Sequence, residues 1–229
     1  MSDTYLELVN KVLKPFNEVQ LTASNFATIE DGFHQHAKDA INDAIYDIYL
    51  YEDTQWPFLW RTGIIPTLTD GSIEYTPDSS ATLLKWNSFR LVRDDVKGVD
   101  SYPLNELDYD LYNKVYRARD MNMDSNDYGI PQRISRTPQN NIVISPPSNV
   151  SYDVEYEYFA IPDTLQAYND TTVIPRPFSQ IITDRALVYL HMFRGDAEIS
   201  QLINQRYERR ISDMRRILIR RSNTMVPIQ

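Results

Sequence analysis

Trp56-Pro57-Phe58-Leu59-Trp60 divides two kinds of patterning in this chain of 229 residues. From Phe33 to Tyr51 the apolar side chains Phe33, Ala37, Ala40, Ile41, Ala44, Ile45, Ile48 and Tyr49 recur at helical spacing. Lys38, Asp39, Asn42, Asp43 and Asp47 fall on the other side, so the segment predicts an amphipathic helix with one face to bury. Pro57 disfavours helical dihedrals at Trp56 and has no N–H to give a ladder, which stops the helix within a few residues. Beyond it the period shifts toward two. Trp56, Pro57, Phe58, Leu59 and Trp60 are therefore expected at a domain junction, with burial worth roughly 1.5 to 3 kcal/mol for a side chain such as Phe58.

Upstream, Tyr5, Leu8, Val9, Val12 and Leu13 predict a first short helix, with Asp3 or Thr4 as its cap and Pro15 as its stop. Downstream, Thr62 to Leu68, Ile73 to Thr76 and Leu83 to Arg93 read as strands, with Asp70-Gly71 as a hairpin signal between the first two. Leu104, Leu107, Leu111 and Val115 suggest a short helix near 104–119. The strongest strand signal is Val150 to Tyr158, where Val and Tyr alternate with Ser151, Asp153, Glu155 and Glu157. It is expected to pair with Ile142 to Ser145 across Pro146-Pro147-Ser148-Asn149, and Ile142 to Ser145 with Gln132 to Thr137.

Helical spacing returns from Ser179 to Arg194 and from Ala197 to about Arg221, with Gly195 as the break and Asp196 placed to cap. Ile199, Leu202, Ile203, Tyr207, Ile211, Met214 and Leu218 form the apolar stripe of the last helix. The order of helices, strands and helices predicts an α+β fold, a helical bundle built from both chain ends with an inserted antiparallel β barrel or sandwich. The bundle takes 1–60 and 178–229, and the insertion takes 61–177.

Composition excludes several classes. With 42% hydrophobic residues the chain sustains a core, and no run reaches the roughly 18 apolar residues of a membrane helix. Met1-Ser2-Asp3 lacks the basic and apolar start of a signal peptide. Zero cysteines remove disulfides and thiolate chemistry, and three histidines leave metal and cofactor roles without an obvious ligand set. His34 and His36 project about 200° apart on a helix, and His191 reads as a packing residue. Asn149-Val150-Ser151 and Asn169-Asp170-Thr171 read as ordinary loop residues.

Asp153, Glu155 and Glu157 share one strand face, a geometry open to acid-base glycoside chemistry, but alternation alone explains them as a solvent face. The last helix carries Arg206, Arg209, Arg210, Arg215, Arg216, Arg220 and Arg221. From Arg194 on, eight arginines face four acids, a local +4 in a chain of −9, so the remainder carries −13. Three readings stand beside one another: a solvated amphipathic face, a surface for an acidic protein groove, and a DNA phosphate contact. Met225, Val226 and Ile228 follow as a mildly apolar tail.

Leu8-Val9-Asn10-Lys11-Val12-Leu13, Leu21-Thr22-Ala23-Ser24-Asn25-Phe26, Ala40-Ile41-Asn42 and Trp56-Pro57-Phe58-Leu59, in this order, resemble bacteriophage head-to-tail adaptor proteins. These are similar to tail tubular protein A of short-tailed phages and to the connectors beneath the portal of other tailed phages. The resemblance covers nearly the whole chain and rests on packing signatures. It implies a structural, non-enzymatic virion protein, assembled in the host cytoplasm as a dodecameric ring between the portal and a distal tail or nozzle protein. Double-stranded DNA would pass through the lumen without sequence-specific binding or any membrane contact, serving genome retention and ejection. By that analogy Arg215, Arg216, Leu218, Arg220, Arg221, Met225, Val226 and Ile228 dock on the portal. Asp153, Glu155 and Glu157 become channel-wall residues if their face points inward, where acids would let DNA slide. A nucleic-acid-binding module built on the arginine helix and a carbohydrate-active tail enzyme are the competing classes.

Overall fold

Thr4 opens the first helix, α1 (Tyr5–Leu13), with a capping box: its hydroxyl accepts the Glu7 N–H at 3.3 Å, and the Glu7 carboxylate accepts the Thr4 N–H at 2.8 Å. Tyr5, Leu8, Val9, Val12 and Leu13 are all buried. The computed structural model describes residues 3–29, 32–67, 69–93 and 100–219. They form two units, one running to Leu59 and resuming at Pro162, the other spanning Trp60–Ile161. Residues 162–177, expected in the β insertion, thus belong with the helices.

In the helical unit, α2 (Gly32–Tyr49) buries Ala37, Ala40, Ile41, Ala44, Ile45, Ile48 and Tyr49, the face its periodicity predicts. Lys38, expected on the polar side, is buried too. Its ammonium donates to the carbonyls of Phe26 and Ile29, both at 2.6 Å, and lies 4.6 Å from the centre of the Phe26 ring. Asn10 clamps the intervening loop by donating to the Leu21 carbonyl at 2.9 Å and accepting the Leu21 N–H at 2.8 Å.

The chain returns as α5 (Ser179–Phe193) and α6 (Ala197–Leu218), and α5 packs against α1, α2 and α6. Gly195 breaks the two helices at a φ of +82°, a conformation that favours glycine. Asp196 stands at the cap position, but its carboxylate makes no capping bond and instead faces His191 Nδ1 at 3.4 Å. The buried stripe of α6 is Ser200, Ile203, Tyr207, Ile211 and Met214. Ile199 and Leu202, expected within it, are exposed because they sit to one side of this line.

The β unit holds β1 (Trp60–Pro66), β2 (Glu74–Tyr75), β3 (Leu83–Leu84), β4 (Arg90–Arg93), β5 (Asp100–Pro103), β6 (Asn105–Glu106), β7 (Arg133–Arg136), β8 (Ile142–Ser145) and β9 (Asp153–Phe159). Two short helices, α3 (Tyr109–Val115) and α4 (Arg117–Met121), replace the single helix expected near 104–119. One sheet runs β1-β9-β4-β5, with β3 also on β9, and the other runs β2-β8-β7-β6. All pairings are antiparallel except β6 with β7.

The β7–β8 hairpin forms as its spacing predicts, whereas two other expected hairpins do not. β1 pairs with β9 and β2 with β8, so the Asp70-Gly71 turn carries the chain from one sheet to the other. Gly71 adopts a φ of +88°, and the Tyr128 hydroxyl occupies the space that a Cβ would need. Likewise β8 and β9 lie in different sheets. The Leu83 to Arg93 strand is broken by a short 3₁₀ turn at Trp86–Ser88.

The two sheets enclose a core that includes Ile65, Leu91, Val154 and Tyr156 from one and Ile134, Ile142 and Ile144 from the other. Phe89 stacks between Trp86 and Tyr156, at centroid distances of 5.3 and 5.0 Å. Gly63 sits opposite Tyr156 in register, and a Cβ there would lie 2.5 Å from the ring, so glycine is required. The architecture is α+β.

Candidate functional site

Three arginines of α6, Arg206, Arg210 and Arg215, are held by acids from other elements. Asp184 on α5 is fully buried; Arg206 Nη2 donates to its Oδ1 at 2.7 Å, and Arg210 Nη1 donates to its Oδ2. Charge-assisted pairing of this kind makes an internal carboxylate tolerable. Beside it, Arg185 donates to Asp47 at 2.5 Å, Asn204 at 3.0 Å and Tyr189 at 3.2 Å. Its guanidinium also lies over the rings of Tyr189 and Tyr207, at 4.9 and 5.1 Å. Burial opposes its charge, but the Asp47 carboxylate outweighs that and raises its affinity for the proton. Burial first, and then the bond to Asp47, pushes the Tyr189 hydroxyl up. Periodicity does not single out Asp184 or Arg185; the available signal is an acid and a base flanked by Ile181, Ile182, Ala186 and Leu187.

Further along α6, Arg215 pairs with Glu52, and Arg216 with Asp213 at 2.9 Å. Leu218, the last helical residue, is half-buried. Arg220, Arg221, Met225, Val226 and Ile228 lie outside the described residues. Four of the five arginines of α6 therefore already face an acid of the same chain, which weakens the reading of a free phosphate-binding row.

On β9, Asp153 and Glu157 are exposed and Glu155 half-buried, while Val154, Tyr156 and Tyr158 on the other face are buried. The three acids thus share the outer face of that sheet, at its centre. They are not alone there: Lys85 donates to Glu157 at 2.5 Å, and Arg90 on β4 is the register partner of Glu155. A groove of about 360 Å³ opens elsewhere in the β unit, lined by Leu91, Tyr102, Pro103, Ile130 and Tyr152 among others. Among the described residues no three His, Asp or Glu side chains gather closely enough to share a metal ion.

Trp56 is fully buried within the helical unit. Its indole N–H donates to the Ile48 carbonyl at 2.6 Å, and its ring stacks on Phe58 at 5.7 Å. Pro57 begins a 3₁₀ turn that ends at Leu59, which is also buried. Trp60 begins β1 and meets Phe159 edge-on at 5.7 Å. The boundary between the units falls between Leu59 and Trp60.

His191 packs on Phe16 with ring centres 4.6 Å apart, and His36 packs on Phe193 at 4.0 Å. The His34 ring is hydrogen-bonded to the Val19 carbonyl at 2.8 Å. The three histidines are thus spread over packing roles and share no centre.

One family model, that of the SU10 adaptor protein, matches residues 3–228. No curated protein matches the chain. The match runs through both units, and the chain belongs to the SU10 adaptor protein family.

Proposed function

We propose that this member of the SU10 adaptor family is a structural protein of the tailed-phage neck, assembling as a ring of twelve copies between the portal and the next tail or nozzle component. DNA passes through the lumen of that ring, held before ejection and released during it. The finer likeness to tail tubular protein A belongs to the same proposal. The observation that carries it is the family match over residues 3–228, which spans both units.

In this reading the portal-facing surface is Arg215, Arg216 and Leu218, continued by Arg220, Arg221, Met225, Val226 and Ile228. Arg215–Glu52 and Arg216–Asp213 are solvent-exposed pairs, of a kind worth about 0 to 1 kcal/mol, so exchange for portal carboxylates costs little. Asp153, Glu155 and Glu157 form the channel wall. Lys85 pairs with Glu157, which leaves a less strongly repulsive surface than three free acids would give. Trp56 to Trp60 span the boundary of the two units in sequence and form the domain junction.

No helix among the described residues is long and apolar enough to cross a membrane. The decisive experiment images the virion neck, counts subunits and traces this chain against the portal. A twelvefold ring contacting the portal through the end of α6 is expected. A chain that stays monomeric with and without portal, and binds duplex DNA at physiological salt, would count against the ring.

A further inference from the structure

Both outer helices of the helical unit carry a second stripe that the unit itself leaves uncovered. On α2, Asp39, Asp43, Tyr46 and Leu50 follow one another at spacings of four, three and four residues, on the side away from Ile41, Ala44 and Ile48. Tyr46 and Leu50 are large and about half exposed, at 52% and 48%. On α6, Leu202, Arg209 and Arg216 follow one another seven residues apart on the side turned away from Tyr207, Ile211 and Met214, with Ile199 one turn before Leu202. Ile199 is 47% and Leu202 68% exposed. Solitary exposed apolar side chains need no explanation, but two stripes at heptad-like spacing do.

The stripes match in composition and in reverse order. Along α2 the acids come first and the apolar residues second, whereas along α6 the apolar residues come first and the arginines second. Tyr46 stands seven residues from Asp39, and Leu202 stands seven from Arg209, about 10.5 Å along either axis. Laid antiparallel, Leu202 meets Tyr46 and Leu50 while Arg209 meets Asp39 and Asp43. Burial of Asp43, followed by the charges of Asp39 and Asp47, raises its carboxyl above the usual range, which marks a ladder short of cations. Arg209 has no ion pair among the described residues, and Arg216 holds only the exposed Asp213 beside it on the same helix.

The two stripes cannot meet within one copy. α5 packs against both α2 and α6. The α6 side chains that do reach the end of α2, Glu208 to Tyr51 and Arg215 to Glu52, lie roughly 100° or more around the axis from Leu202 and Arg209. Two different patches on one subunit make a heterologous contact, the kind that closes rings.

We propose that the partner of this surface is a second copy of the chain, the α2 stripe of one copy packing antiparallel on the α6 stripe of the next. This inference rests on the ring reading and names the helices that close it. The charges set direction and register, and the apolar ends supply the buried area.

The absence of cysteine makes the test direct. In the full chain, Tyr46→Cys with Leu202→Cys, treated with a short bis-maleimide, should give a ladder of covalent dimers, trimers and larger species, while either single variant should give none. As a second measurement, Arg209→Glu should weaken association about tenfold or more, and adding Asp39→Arg with Asp43→Arg should restore it. Dimers from a single variant would mean like faces meet and would overturn the proposal. Rings seen by native mass that fail to cross-link at these positions overturn the helix pairing alone. Persistent monomer, with and without portal, overturns the pairing and the ring together.

Discussion

The helical unit and the β unit differ in how far their buried polar groups are paired. Among the helices Asp184 binds two arginines, Lys38 caps two carbonyls, Trp56 donates to Ile48 and Ser200 donates to the Val188 carbonyl at 3.1 Å. In the β unit Ser135, Ser145 and Ser148 each bury a hydroxyl without a hydrogen-bond partner, and Thr54 is the counterpart on the helical side. Ser135 and Ser145 alternate with Ile134 and Ile144, so they lie on the face of their sheet away from the core. The Arg133 guanidinium, on the same face, lies 4.4 Å from the Tyr116 ring between α3 and α4. Both units are held by apolar area, and the helices add buried charge-assisted bonds at Asp184 and Lys38, whereas the sheets tolerate unpaired hydroxyls at Ser135, Ser145 and Ser148.

Truncations should break this contrast most visibly at Trp56. Trp56→Ala removes a fully buried indole, its stacking on Phe58 and its bond to Ile48, and should cost about 3 to 5 kcal/mol in denaturant unfolding. Trp60→Ala, at a half-buried strand residue, should cost clearly less. Equal losses would show that the cluster acts as one body and not as two anchors in separate units.

Next in size is Asp184→Ala. It strips two guanidiniums of their shared acceptor, but these are partly exposed and regain water, so the loss should be about 2 to 3 kcal/mol, short of the figure for a fully buried charge left alone. Urea unfolding of the variant and of a triple variant that also replaces Arg206 and Arg210 with Met would separate the terms. The triple variant should recover part of the loss.

The serines sharpen the comparison at a smaller scale. Ser200→Ala should cost about 1 kcal/mol, because it leaves the Val188 carbonyl without that donor. Ser135→Ala and Ser145→Ala lose no bond and should fall within about 0.5 kcal/mol of the parent or stabilise it. A loss at Ser135 as large as at Ser200 would mean that ordered water completes the β unit's polar groups as thoroughly as protein does in the helices.

The same contrast explains what could be read from the sequence. The buried face of α2, the extent of α5, the capping of α1, the β7–β8 hairpin and the alternation of β9 depend on residues near one another in the chain, and all are legible in it. Sheet partners are chosen at a distance, so Asp70-Gly71 revealed a turn but not that it leads from one sheet to the other. Periodicity placed Ile199 and Leu202 within the apolar stripe of α6, yet it could not say that α5 covers only the Ile203 and Tyr207 side. The arginine row was visible, but Asp184, 22 and 26 residues before Arg206 and Arg210, was not legible as their anchor.

The smallest expected effect lies at Asp43, and it bears on both the fold and the assembly. Its carboxyl titrates above the ordinary value because burial, and then Asp39 and Asp47, disfavour the charge. The folded state therefore holds that proton more tightly than the unfolded state does, so ionisation at neutral pH costs stability. The favourable contribution is complete only below the unfolded value of about 3.9 and is lost as pH rises through the raised folded value. Asp43→Asn removes the repulsion between helix neighbours four residues apart and should stabilise the isolated chain by roughly 0.2 to 0.5 kcal/mol per pair near pH 7. The gain should fade as pH falls toward about 3, which urea midpoints at the two pH values would show. If α6 of a neighbouring copy supplies the missing cation, the same substitution should weaken association while it steadies the monomer. A residue kept for folding alone would move both in the same direction.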